Sequence, residues 1–242
     1  MKVEVCVTSI ASARVAEAAG ADRLELCSEL AVGGITPSPG LLQQVREAVK
    51  IPVHVLIRPR SGDFVYSSGA FAQMVRDIEY CRKLGYEGFA AGCLLADGNL
   101  DTERMRLLAD ATRGCHLTFH RAFDRIADWE SAVAELKELG VHTILTSGQA
   151  PTAFRGLGFL ERLASQTACG IMPGGGIRPD NVASFVGKGF EAIHLSGIQK
   201  KPAESPASLP LNSPSLLREG APPRCDPNLL RELVGVLRDL GD

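Results

Sequence analysis

The sequence predicts an α/β protein built as a TIM (β/α)8 barrel, on three observations. Eight short apolar runs recur along the 242 residues, reading VEVCV, RLELC, VHVLIRPR, GFAAGC, LTFHR, ILTSG, GIMPGGGI and AIHLSG. Helical patterning follows each run, so strands and helices alternate as in a parallel barrel. The chain length suits one such barrel and is enough to bury a large core. Parallel strands bring their carboxyl ends to one mouth, where α/β proteins carry their function. Cys6, Cys27, Arg58, Cys93, His120 and Ser147 end the first six runs, and Gly174 to Gly176 and Ser196 the last two.

The first strand is expected from the second residue, and Ser9 then caps a helix over 11–19 that Gly20 closes. The second strand, 23–27, leads through the loop SELAVGGITPSPG to a helix over 41–49. The third, 53–57, runs into RPRSGDFVYSSG and a helix over 71–84. Loops this long in a compact barrel usually build sites. Strands at 88–92, 116–120 and 143–145 precede helices at 102–111, 128–139 and 159–166. The seventh strand, 170–172, ends in a GGG turn, and Pro179 suits the first turn of a helix after it. Beyond the eighth strand, 192–195, the stretch 200–227 is rich in Pro, Ser and Ala without periodicity and reads as a mobile loop or linker. An amphipathic helix over 229–240 closes the barrel, giving one domain over 1–242.

Hydrophobic content of 45% with 22% charged residues fits a soluble globular protein. A net charge of −2, scattered basic residues and 5% aromatics argue against nucleic acid or an anionic membrane as partner. No apolar stretch approaches a membrane span, and a strand beginning at the second residue leaves no room for a signal peptide. The cytoplasm is the expected compartment. Seven cysteines without a CxxC pair suggest neither a disulfide framework nor a zinc knuckle, and most should be reduced and buried.

Side chains alternate along a strand, and the outward set must be apolar against the helices. The polar set therefore marks the interior: Glu4 and Cys6, Glu25 and Cys27, His54 and Arg58, His116, Thr118 and His120, His194 and Ser196. Buried carboxylates need partners, so Glu4 and Glu25 are expected to share a polar network with Arg58. Such a network serves structure or acid–base chemistry, and Glu25, Arg58 and His120 are the candidate catalytic residues. Four residues along a strand span about 13 Å, so His116 cannot share an ion with His120. His116 and His54 are expected near the closed end as hydrogen-bonded core histidines. Cys6 and Cys27 end neighbouring strands about 4.8 Å apart, within reach of two thiolates sharing Cu(I). Barrel layers drawn from alternate strands place neighbours at different heights, which favours inert packing instead. Gly174, Gly175 and Gly176, with Ser196, lie where barrels bind phosphate through backbone N–H groups; a tight turn explains the glycines equally well.

The stretches EVCV, GADRLELCSEL, GGITPS, IPVHVLIRPRSGDFVYS, TFHRAFD, LTSG and MPGGGI, in this order, resemble the CutC family over about the first 198 residues. The resemblance implies a cytoplasmic barrel that handles copper and forms homo-oligomers, here expected as dimers. It implies Cu(I) as the bound ion, with Cys6 and Cys27 as its ligands. It also maps a polar pocket onto Glu25, Arg58, Arg60, Asp63, His120, Arg121 and Asp124. The chain departs from the family pattern at Thr8, where an acidic residue is usual, and at Ile198, where an arginine follows the last-strand serine. The second departure weakens an anion site there. Two functions follow from these readings: copper homeostasis, with the ion or a small-molecule ligand as partner, and an enzyme of a small anionic or phosphorylated metabolite. In the enzyme, Glu25 or His120 supplies acid–base chemistry and Arg58 binds an anion, while Arg60, Asp63, Arg121, Asp124, the glycine turn and Ser196 bind the rest of the substrate.

Overall fold

The strands form in chain order as β1 (Lys2–Val7), β2 (Arg23–Leu26), β3 (Val53–Leu56), β4 (Gly88–Ala91), β5 (His116–Phe119), β6 (Thr143–Thr146), β7 (Gly170–Pro173) and β8 (Ala192–Leu195). The computed structural model describes residues 1–198 and 224–241. Every pairing is parallel, in the order β7-β6-β5-β4-β3-β2-β1-β8. A parallel bridge between Gly174 and His194 brings the edge strands together, so the sheet is a nearly closed barrel.

Among the described residues seven α-helices surround it: α1 (Ile10–Ala18), α2 (Pro39–Ala48), α3 (Ser68–Lys83), α4 (Thr102–Ala111), α5 (Trp129–Glu138), α6 (Leu157–Gln166) and α7 (Pro227–Asp239). Six start on a Ser or Asp cap, Ser9, Ser38, Ser67, Asp101, Asp128 and Asp226, whose side chain accepts a first-turn N–H. Each such cap stabilises its helix by about 1 kcal/mol.

The helix expected after β7 is absent. A 3-10 turn, Val182–Phe185, takes its place. The Asn181 side chain accepts from Arg178 N–H at 3.0 Å and donates to Gly176 O at 3.1 Å, which ties the segment into a turn. Gly187 and Gly189, at φ of 73° and 78°, then break any helical continuation. Fully buried Val182 and Phe185 fill the space a helix would occupy. Of the stretch read as a linker, residues 199–223 lie outside the described residues; after it Cys225 bridges to Ile198 and α7 begins.

The main core lies between strands and helices. Outward residues such as Val5, Leu24, Val55, Phe89, Leu117 and Ile193 pack against the helical layer. The barrel interior instead holds two small apolar clusters, Cys6–Cys27–Leu56–Ala90 and Leu145–Met172–Ala192, with polar residues between them. At the closed end the rings of His54, His116 and His142 form a column with 4.7 Å between successive centroids. Gly88 makes room for it, because a Cβ there would lie 1.8 Å from the His54 ring. His116 Nε2 meets Thr143 Oγ1 at 3.0 Å, as expected of a core histidine. His54 Nδ1, in contrast, makes no hydrogen bond to the described residues, and its ring packs tilted, at 34°, against His116. Burial depresses both histidines, His54 to about 4 and His116 to about 3, so both are neutral. No described helix is long and apolar enough to cross a membrane.

Candidate functional site

The site is built upward from a buried ion pair. Parallel register sets Glu4 of β1 level with Arg23 of β2 and His194 of β8. Arg23 Nε donates to Glu4 Oε2 at 2.6 Å, and His194 Nδ1 meets Glu4 Oε1 at 2.7 Å. Burial alone would raise the Glu4 carboxyl, but the His194 hydrogen bond and the Arg23 charge outweigh it and hold the group at about 2. The cation of this network is therefore Arg23, not Arg58. Arg58 lies past the end of β3, where its guanidinium donates to Val32 O, Gly34 O and Gly62 O at 2.9, 2.8 and 2.9 Å. It staples the two long loops after β2 and β3 together and lies 5.0 Å over the Phe64 ring.

One layer higher, register pairs Cys6 with Glu25. The Cys6 thiol, Glu25 carboxylate and His194 imidazole each offer an atom within 4.8 Å of the others. His194 Nε2 is 3.9 Å from Glu25 Oε2. Burial pushes Glu25 upward, the Glu4 charge adds to this, and His194 only partly opposes it. Burial disfavours protonated His194 too, yet Glu25 and Glu4 outweigh that and raise it. Cys6 Sγ lies 3.3 Å from Cys27 Sγ, so the two thiols meet although the register staggers their strands. The hydrogen bond to Cys27, followed by burial, holds the Cys6 thiol well above 9 and therefore protonated.

His120 directly follows β5 and is buried. Its Nδ1 accepts from Ala122 N–H at 3.2 Å, whereas Nε2 has no partner among the described residues. Burial and then the Arg58 charge depress it to about 3, leaving a neutral imidazole. Across the mouth, Asp124 Oδ1 accepts from Thr146 Oγ1, Ser147 N and Gln149 N at 2.5, 2.9 and 3.2 Å. Its Oδ2 accepts from Arg121 Nε at 2.8 Å and Ser147 Oγ at 3.0 Å. Asp124 thus binds the turn after β5 to the turn after β6.

These walls enclose a cavity of about 440 Å³ at the mouth, with Cys6, Glu25 and His194 along one side. Arg58, His120, Arg121, Asp124, Gly175, Gly176 and Ser196 also line it, so most of the expected site residues converge. Cys27 lies behind Cys6 in the apolar cluster. Arg60 and Asp63 stay outside the lining and pair with each other at 2.6 Å, both exposed. Gly174 serves packing, since a Cβ there would stand 2.6 Å from Leu145 and 3.1 Å from His194. Gly175 and Gly176, at φ of 106° and 72°, make the tight turn beside it.

Arg23, Arg125 and Arg178 are not among the residues expected from the sequence, and His194 is expected inside the barrel without a role in the site. His194 shares the inward phase of Ser196, and Arg23 that of Glu25, so alternation marks both. Arg125 and Arg178 sit on turns, where no periodicity marks direction; Arg178 lines the cavity and donates to Ile198 O at 2.7 Å.

The CutC family profile matches residues 1–199. A family protein CutC from Enterobacter sp. (strain 638) is 45% identical over 195 residues, which is 80% of this chain and 79% of that protein. The crystal structure of CutC from Streptococcus agalactiae superposes with a TM-score of 0.77 at 31% identity, covering 81% of this chain and 99% of that one. KGPDC from Streptococcus mutans is similar in fold alone, with a TM-score of 0.63 at 11% identity over 100% of this chain and 99% of that one. With a family profile spanning the barrel and relatives at this identity, the chain belongs to the CutC family.

Proposed function

We propose that this protein serves copper homeostasis, taking Cu(I) on Cys6 and Cys27 at the base of the mouth cavity. The observation that carries the reading is the pair of buried thiols with sulfurs 3.3 Å apart, one of them on the cavity wall. Thiolates are soft ligands that select Cu(I) over harder ions. Leu56 and Ala90 surround the pair with apolar atoms, and the cavity gives the ion a route in. Binding must displace thiol protons, so affinity rises with pH. The Streptococcus agalactiae relative carries a provisional copper-homeostasis name, which agrees with this chemistry. The same reading takes the protein to be a cytoplasmic dimer, which sedimentation of the purified protein checks. In a Cu(I) competition titration, Cys6→Ser and Cys27→Ser should each weaken binding by at least about tenfold, in keeping with loss of one of two soft ligands. Equal affinity in the parent and both variants refutes the copper reading.

A second reading, an enzyme of a small anionic metabolite, draws on the Glu25–His194 pair facing the same cavity as Arg121, Arg125 and Arg178. In it Arg58 positions loops, and the other three arginines meet the anion. Native mass spectrometry of the untagged protein tests it, through a retained anionic ligand that Arg178→Ala releases.

A further inference from the structure

We propose that Cys6, Glu25 and His194 form a second metal site, for a borderline divalent ion of the Zn(II) class, with its open coordination position facing the cavity. One thiolate, one imidazole and one carboxylate make up a donor set suited to zinc, which accepts S, N and O ligands. Three protein ligands with the fourth position open is the arrangement of reactive rather than structural zinc, and all three residues line the cavity. The ligand atoms lie within 4.8 Å of one another. A tetrahedral ion with bonds of about 2.0–2.3 Å holds its ligands about 3.3–3.8 Å apart, so rotations that draw the group in by about 1 Å complete the site.

The independent sign is what stands behind His194. A ligating histidine usually donates its other ring N–H to a carboxylate, which fixes the tautomer and aims the free nitrogen at the ion. His194 Nδ1 meets Glu4 at 2.7 Å, and Arg23 anchors that carboxylate at 2.6 Å. Nε2 is left facing Glu25. The buried Glu4–Arg23 pair thereby gains a role that packing alone does not give it. The site shares Cys6 with the copper reading but does not depend on Cys27 or on that reading.

The test is titration of the full-length, reduced protein with Co(II), followed by displacement with Zn(II). The parent should take up one Co(II) with tetrahedral d–d absorption and a sulfur-to-cobalt charge-transfer band. Cys6→Ser should abolish that band, and His194→Gln and Glu25→Gln should each weaken binding by about 100-fold, with Glu4→Gln costing about 10- to 100-fold through the ring it orients. Thermal melts establish that each variant is folded; should His194→Gln fail to fold, Glu25→Gln and Cys6→Ser decide the matter. Cys27→Ser separates the two metal readings, because it should weaken Cu(I) yet keep the cobalt spectrum. An octahedral spectrum without sulfur charge transfer in the parent, or a tetrahedral one unchanged in Cys6→Ser, overturns the proposal.

Discussion

Two polar clusters face each other across the mouth, and they use their atoms in opposite ways. On the β5–β6 side, Asp124 accepts five hydrogen bonds and Ser147 is fully buried, so the cluster is saturated. On the β1–β2–β8 side, Cys6, Glu25 and His194 turn donor atoms towards one point, and burial raises the Glu25 carboxyl. A carboxylate filled by backbone and side-chain donors holds loops; a buried group of thiol, carboxylate and imidazole gathered at one point spends stability to keep chemistry available. The difference separates residues that build the mouth from residues that use it.

The contrast breaks first at the foundation of the reactive side. Arg23→Met strips the buried Glu4 of its cation, and equilibrium denaturation should show a loss of about 3–5 kcal/mol. Glu4, whose folded value is about 2 against 4.5 unperturbed, adds stability that is fully present above pH 4.5 and lost as pH falls towards 2. Glu4→Gln should flatten that acid limb in pH-dependent denaturation. On the saturated side, Asp124→Ala orphans several donors and should cost about 2–3 kcal/mol while leaving Cu(I) affinity within about twofold, since no soft ligand is removed.

The smallest effect is the most telling. Glu25→Gln removes a carboxylate that burial already disfavours, so stability should change by less than about 1 kcal/mol in either direction. A loss as large as that of Asp124→Ala would mean that Glu25 is structural, and the contrast between the two sides would collapse.

Much of this was legible in the sequence where periodicity decides. The helix read over 102–111 is α4, Thr102–Ala111, and the strand over 192–195 is β8, Ala192–Leu195. Alternation alone placed Glu4, Cys6, Glu25, His120 and His194 inside the barrel. Partnership was not legible, because it depends on strand register: a shift of one pairing would set Asp22 or Leu24 opposite Glu4 in place of Arg23, and leave the carboxylate without that cation. Arg58 looked like an anion ligand because it ends a strand, yet its three carbonyl partners come from loops whose path no local pattern encodes. The missing helix after β7 has the same origin, in a tie between Asn181 and Gly176 and two glycines at positive φ. The meeting of Cys6 and Cys27 requires side chains to reach across the difference in height that barrel layering sets between neighbouring strands.

X-ray absorption at the copper edge of the Cu(I)-loaded protein reads which atoms hold the ion. Two sulfur neighbours on copper are expected in the parent and at most one in Cys27→Ser. Copper surrounded only by nitrogen and oxygen, or an identical spectrum from Cys27→Ser, would contradict ligation by the two thiols.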